Sequence, residues 1–477
     1  LYNESNVRLD CAKKLYVEYS EIENELNDYY IILCQKTDIA NSPWDDIFYR
    51  KGICYKDDYI DSAYLLMWVR NRREDILKTK EIWIFGAGNN GEYFWNAYNK
   101  EYNICGFVSN YENQKEKCGL PVVRLEQLQN RDHVFIVVCS IYEMDMYNQL
   151  LDIGMKEEYD FTFSNFFQKK LFVGVGTCQV SYSVGMLLLN KNFDNRFVCM
   201  RVGENLENYA PMVNRIRMKL YSKFCNVLFY QIPDLKGAVS LDYSTIYKKY
   251  DKALKIKMPF YYFQGIHMQM DVILPTNKKY TIMNAEGLFS SVALYCYRMD
   301  KEILKMVSDD MNSQEISSKI LSENYFPKEK ILQKFRTSVN VLKYFDKSSD
   351  IKITPFLLKH YKDIPVFTDT EHFGPELLVY VANELAKILD IEVIDKENAE
   401  SFEEDFKKFW AYNLYIYPSV AKTLELDYWQ YDMEYQNTPY AHGQKLSLEE
   451  YVMKQITFVK RVNEFWTWLG DDKNELF

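Results

Sequence analysis

Glu81-Ile-Trp-Ile-Phe85-Gly86-Ala87-Gly88-Asn89-Asn90-Gly91 decides the fold class. A short apolar run closed by a glycine cluster reads as a buried strand running into a tight turn. The residues after Gly91, through Trp95, read as a helix. Strand and helix signals then alternate. Ile104–Val108 and Val134–Cys139 read as strands, and Pro121-Val-Val123 precedes a short helix at Glu126–Leu128. A helix over Tyr142–Ile153 and a last strand near Tyr159–Phe161 complete the segment. Such alternation specifies parallel strands joined by right-handed crossovers, a small Rossmann-like sheet over 80–168.

The same signal starts again at Lys170-Leu-Phe-Val-Gly-Val-Gly176-Thr177-Cys178-Gln179. An apolar strand runs into a small-residue turn and an apolar helix. Leu171 to Leu189 carries no charge, but its glycines, serines and glutamine make it too polar for a spanning helix. Further strands are expected at Arg196–Val202, Val227–Tyr230, Phe260–Phe263 and Ile364–Phe367. The region between Lys301 and Ser349 is charged and helical in pattern. Residues 1–79 and 396–477 read as helical extensions. The expectation is an α/β protein of two parallel-sheet domains, 80–168 and 169–395, between helical ends.

Composition narrows the function. The 477 residues are 48% hydrophobic and 26% charged, which excludes a disordered or fibrous chain. Lys+Arg 58 against Asp+Glu 68 leaves a net charge of −10, so nucleic acid is not an expected partner. No transmembrane segment is expected. Ten cysteines are scattered without a Cys-x-x-Cys pair, which fits reduced thiols in a cytosolic protein and no metal site. Aromatics at 16% suit sugar or nucleotide surfaces, or an AT-rich coding bias.

Three sites carry chemistry. Gly86, Gly88 and Gly91 match G-x-G-x-x-G between a strand and a helix, where backbone N–H groups can hold a phosphate. The acidic residue that would bind a ribose after the second strand is missing, since the chain reads Val108-Ser109-Asn110. A redox dinucleotide is therefore not expected. The turn either binds a nucleotide sugar or only joins strand to helix. The second site is Cys178, presented at the start of a helix by Gly176-Thr177. Backbone N–H groups at such an end favour a thiolate, the reactive form, and can stabilise an oxyanion.

The third site is a histidine base, with two candidates. Asp369-Thr-Glu-His372 follows an expected strand, and an Asp three residues before a His can orient the imidazole. His267-Met-Gln-Met-Asp271 follows another. With five His and 68 acidic residues, each spacing arises ~0.7 times by chance, so position after a strand carries the argument. His133 reads as structural, His360 as solvated, and His442 as a tail-loop residue.

These motifs together resemble a known family. The D-x-x-H block after a nucleophile turn resembles SGNH-type esterases and acyltransferases, with a spacing here of 372 − 178 = 194. Gly176-Thr177-Cys178-Gln179 is similar to the G-N-C-Q signature of WcbI-like polysaccharide biosynthesis acetyltransferases. Phe263-Gln-Gly-Ile-His267, Phe367–Gly374 and Tyr417-Pro-Ser-Val-Ala421 follow in the same order. Thr177 stands where the family has Asn, and Phe373-Gly374 where it has a Pro-small pair. The resemblance covers about 169–430.

It implies acetyl transfer from coenzyme A to a sugar hydroxyl in bacterial surface polysaccharide biosynthesis. Cys178 would be the nucleophile or line the acyl pocket. His372, oriented by Asp369, would be the base, with His267 in reserve. Gly176, Thr177, Gln179 and Gly203 would hold the acyl donor, with the Cys178 and Gln179 N–H groups, joined by Gly203 after the second strand, on the oxyanion. A sugar or polysaccharide acceptor is the expected partner, and the helical ends are an expected surface for homo-oligomers. The expected location is the cytoplasm or the inner face of the membrane. A nucleotide-sugar glycosyltransferase and a non-catalytic nucleotide-sugar module are the competing readings, both using the Gly86–Gly91 turn.

Overall fold

The structure, a computed structural model, describes residues 31–33, 59–61, 67, 70, 73–111, 115–128, 131–140, 142–157, 159–164, 167, 169–203, 218–232, 248–271, 281–283, 289–291, 299–394, 414–435 and 445–469. The chain is an α/β protein that divides into two compact units. One spans Leu1–Ile256 with Leu389–Glu392, and the other Lys257–Ile388 with Val393–Phe477.

Among the described residues the first unit holds a two-stranded pairing and two larger sheets, all built on parallel strands. The pairing that opens it was not foreseen: β1 (Ile31–Leu33) lies parallel to β2 (Tyr59–Asp61), where a helical region was expected. Ile-Ile-Leu is β-branched enough to pair once a partner strand is present. The remainder of the expected helical region 1–79 lies largely outside the described residues.

The larger sheet contains β3 (Glu81–Phe85), β4 (Ile104–Val108), β5 (Glu116–Lys117), β6 (Leu120–Val123), β7 (Val134–Val138) and β8 (Phe161–Phe163). Their order is β5-β6-β4-β3-β7-β8, parallel throughout except for the β5–β6 hairpin. Leaving out that hairpin strand, the first strand is central and the order reads 3-2-1-4-5, the Rossmann arrangement. Helix α1 (Asn89–Tyr98) follows β3, and α2 (Glu143–Asp152) follows β7. Alternate residues of β3 face opposite layers. Ile82 and Ile84 pack with Phe94, Tyr98 and Phe107, while Phe85 packs with Val134, Ile136 and Val138.

The second sheet contains β9 (Lys170–Gly176), β10 (Phe197–Gly203), β11 (Cys225–Ile232) and β12 (Leu254–Pro259). Its order is β10-β9-β11-β12, with β9 parallel to both neighbours. In sequence terms this is 2-1-3-4, the other doubly wound order. Helix α3 (Cys178–Leu187) and α4 (Lys191–Arg196) join β9 to β10. Leu171, Val173 and Val175 are sealed in the core, as a strand covered on both faces requires.

The second unit is mainly helical where described. Helices α5 (Lys301–Ser308), α6 (Ser313–Ile320), α7 (Lys328–Asp346), α8 (Thr354–His360), α9 (Pro375–Ile388), α10 (Pro418–Leu424) and α11 (Leu448–Leu469) carry it. Ile331, Phe335, Val339 and Leu342 recur at helical spacing on one buried stripe of α7. Helix α11 packs on α5 and α6. Two expected strands are absent. Phe260–Phe263 and Ile364–Phe367 are irregular segments without a ladder, apart from a single bridge between Phe367 and Phe373. Pro365 has no N–H to give to a ladder, so the apolar run is buried as a loop instead. No described helix is long and apolar enough to cross a membrane.

Candidate functional site

In open α/β sheets ligands bind beyond the carboxyl ends of strands, where the strand order reverses. Among the described residues there are two such points, both in the first unit. In the second sheet β9 ends between β10 and β11, and its last residue Gly176 pairs with Gly203. Thr177 then caps α3, its side chain accepting the Gln179 N–H at 3.4 Å. Cys178 is the first residue of the helix and is half-buried. By contrast, Cys139 and Cys225 are sealed in the core, and burial pushes the Cys225 thiol up to about 12.

Gln231, which sequence reasoning overlooked, holds this corner together. Its Oε1 accepts the Thr177 N–H at 2.7 Å, and its Nε2 donates to Gln179 Oε1 at 3.0 Å. Both glutamines are fully buried. Gly176 is needed for close packing, since a Cβ there would sit 2.7 Å from Gln231 Oε1 and 2.7 Å from Val180 Cγ2. The one sequence cue was a glutamine near the end of the apolar run Val227–Ile232. The Thr177 cap already takes the Gln179 N–H, so of the two oxyanion donors expected on α3 the Cys178 N–H remains for that role.

In the larger sheet the reversal falls between β3 and β7, at the Gly86–Gly91 turn. Gly86 has φ +126°, a backbone region that favours glycine, and a Cβ there would sit 2.3 Å from the Cys139 carbonyl oxygen. A Cβ on Gly91 would sit 1.9 Å from the Gly86 carbonyl oxygen. Both glycines are therefore explained by packing. Gly88 differs: nothing lies within 4 Å of a Cβ built there, and as N-cap of α1 it supplies no side-chain cap. A cleft of about 300 Å³ lies beside this helix, lined by Asn90, Tyr93, Leu188, Leu189, Lys191, Asn192 and Asp194.

The second unit holds both candidate histidines, His267 and His372. Asp369 is fully buried, and its Oδ1 accepts the Glu371 and His372 backbone N–H groups, each at 2.7 Å. Its Oδ2 meets His372 Nδ1 at 2.7 Å. The loop is fixed by Thr368 N–H to the His372 carbonyl at 3.0 Å and Phe263 N–H to the Thr370 carbonyl at 2.8 Å. Gly374 closes it, because a Cβ there would sit 2.1 Å from the Pro365 carbonyl oxygen. The His372 side chain is 19% exposed.

His267 belongs to the same electrostatic cluster. It is 2% exposed, and its Nδ1 is buried with no hydrogen-bond partner among the described residues. Burial pushes its pKa down to about 4, against the attraction of the Asp369 carboxylate. The two histidines that the sequence offered as rivals thus both feel Asp369, one half-open and one sealed. Nearby in this unit, buried Asp300 caps α5 and accepts hydrogen bonds from the Tyr415 and Tyr417 hydroxyls. Burial raises its pKa to about 6.

Of the remaining histidines, His133 is exposed at the foot of β7, and His360 packs against Phe356 in a tilted arrangement with ring centroids 4.7 Å apart. His442 lies outside the described residues. Among the described residues no group of three or more His, Cys, Asp or Glu side chains is placed to hold a metal ion. Cys178 belongs to the first unit, and His372, Asp369 and His267 to the second.

Fold and site together define a two-unit α/β protein with a thiol at one sheet reversal and a buried Asp–His pair. No protein-family model matches the chain, and no curated protein matches it. Among solved structures it has a distant likeness to WcbI, described as a novel polysaccharide biosynthesis enzyme, in its native form without a disulfide bond between coenzyme A and a cysteine. The TM-score is 0.48 at 16% identity, over 64% of this chain and 96% of that one.

Proposed function

We propose that the chain transfers an acyl group, acetyl from coenzyme A, to a sugar hydroxyl of a surface polysaccharide. The observation that carries this reading is the half-buried sulfur of Cys178 at the carboxyl end of the central strand, on the first turn of α3. The donor set suits a thioester, with a thiol to attack the carbonyl and the Cys178 N–H beside it for the oxyanion. Gly176, Thr177, Gln179 and Gly203 are the residues assigned to the donor.

The proposed chemistry has two halves. The Cys178 sulfur bonds to the acetyl carbonyl carbon, the bond from that carbon to the coenzyme A sulfur breaks, and coenzyme A leaves as its thiol. A sugar hydroxyl oxygen then bonds to the same carbon, its proton passes to a base, and the Cys178 thiol is restored. His372 is the assigned base. With Nδ1 held by Asp369, the imidazole presents its basic lone pair at Nε2. His267, sealed and held neutral, supports the Asp369 environment instead of taking the substrate proton.

The experiment is intact-mass analysis after incubation with acetyl-CoA. The expected result is one added acetyl group, absent in Cys178→Ala; when an acceptor glycan is supplied, the group is lost from the wild type and persists in His372→Ala. Full glycan acetylation by Cys178→Ala would overturn the nucleophile assignment.

A second reading is favoured by the space over Gly88 and the adjoining cleft, in which the turn binds a nucleotide sugar. Thermal shift with acetyl-CoA, coenzyme A and nucleotide sugars separates the two, because only a bound ligand raises Tm.

A further inference from the structure

A cleft in the first unit lies away from both sheet reversals. It opens at the amino ends of β3 and β7 and has a volume of about 400 Å³. That size is within the range of small-ligand pockets, roughly 300–1,000 Å³. Glu81, Trp83, Val123, Gln127, Leu128, His133 and Val134 line it.

The lining specifies a ligand chemistry. Trp83 supplies a partly exposed aromatic ring, packed with Val123, Leu128 and Val134. Its ring is set in place by Gly106, where a Cβ would sit 2.4 Å from the indole Cζ3. The indole Nε1 is buried with no acceptor among the described residues. Gln127 is also fixed, its Oε1 accepting the Arg124 N–H at 2.7 Å, which leaves its amide N–H groups to act as donors. Glu81 and His133 are exposed at the rim. No lysine or arginine is among the lining residues, and the Glu81 carboxylate repels a phosphate. An aromatic face edged by a carboxylate, an amide and an imidazole suits an uncharged, hydroxyl-rich ring.

We propose that this cleft is a binding site for a neutral saccharide, with one ring face against Trp83 and its hydroxyls held by Glu81, Gln127 and His133. The site is separate from the Cys178 corner, and the inference does not rest on acyl transfer. It would hold a sugar unit of a polymer without doing chemistry on it.

The test is saturation-transfer NMR on the full chain with cellobiose, lactose and N,N′-diacetylchitobiose, and with glucose 6-phosphate as an anionic control. At least one neutral disaccharide should give transfer to its ring protons, with glucose 6-phosphate at least fivefold weaker. Trp83→Leu and Glu81→Gln should each reduce the disaccharide signal at least fivefold. Glu81 is exposed, so its variant tests the cleft even where Trp83→Leu perturbs folding. The Cys178→Ala/His372→Ala double variant should keep the signal. Absence of transfer from all three disaccharides, retention of full signal in Glu81→Gln, or loss of signal in the double variant would each overturn the proposal.

Discussion

Asp369 grips His372 at two points: Oδ1 accepts its backbone N–H and Oδ2 meets its ring Nδ1, both at 2.7 Å. One carboxylate thereby fixes both the loop and the ring. Replacing Asp369 with Asn keeps the shape and an acceptor for the loop N–H groups, but removes the charge that favours the Nδ1-protonated ring. Acceptor acetylation should fall by about 10²–10⁴. Acetylation of Cys178 by acetyl-CoA should change much less. Single-turnover mass analysis of both steps checks this, and an unchanged acceptor step would remove the pair from the mechanism.

Two buried groups of the second unit make opposite pH predictions. His267 has its pKa pushed from 6.5 to about 4, so the unfolded chain binds its proton first as pH falls. Its contribution costs stability progressively between about pH 6.5 and 4 on acidification. Asp300 has its pKa raised from 3.8 to about 6, so the folded chain holds the proton longer. Its contribution stabilises at low pH and is lost as pH rises from about 4 to 6. Each amounts to roughly 3 kcal/mol, with opposite slopes in one window. Relative to the wild type, Asp300→Asn should lose stability more steeply on acidification, and His267→Gln less steeply. Urea denaturation at several pH values reads the slopes, and parallel curves for all three proteins would refute both assignments.

The Gln231 side chain predicts how the Cys178 corner fails. Gln231→Leu would leave the Thr177 N–H and Gln179 Oε1 without their partner in a buried setting. Stability should drop by about 1–3 kcal/mol. The alkylation rate of Cys178 should change as well, because Thr177 no longer sets the first turn of α3. An alkylation rate and a denaturation midpoint both equal to the wild type's would show that Gln231 does not organise the corner.

Legibility in the sequence followed the range of the interaction. The strand–helix alternation over 80–168, the strand-to-helix corner at 178 and the Asp369–His372 spacing are local patterns, and the structure has strands and helices alternating there, Cys178 opening a helix, and Asp369 against His372. The misread segments are those whose state depends on distant partners. Ile31–Leu33 is a strand only because Tyr59–Asp61 lies beside it. Val366 and Phe367 have strand-forming side chains, yet they are sealed in a loop, where hydrogen bonds from Thr368 to the His372 carbonyl and from Gly374 to the Val366 carbonyl replace a ladder. Asp300 meets Tyr415 and Tyr417 across more than a hundred residues, a pairing that no periodicity announces. Gln231 has the same character, since its partners lie on another strand's end.

The glycine turn separates packing from binding in one pair of variants. Gly91→Ala would place a Cβ 1.9 Å from a backbone carbonyl oxygen that cannot rotate away. The helix must shift off β3, and the cost should exceed about 3 kcal/mol, at the severe end for overpacking. Gly88→Ala meets open space, and the N-cap φ of −84° is ordinary for alanine. Its stability should stay within about 1 kcal/mol of the wild type, since exchanging Gly for Ala at an N-cap is a small change. A methyl group there would nevertheless stand in the path of any phosphate approaching the α1 N-terminus. If the turn binds a nucleotide sugar, the thermal shift produced by that ligand disappears in Gly88→Ala while Tm without ligand is kept. A ligand-induced shift that survives Gly88→Ala would place nucleotide-sugar binding elsewhere and leave Gly86 and Gly91 with the packing roles their contacts already explain.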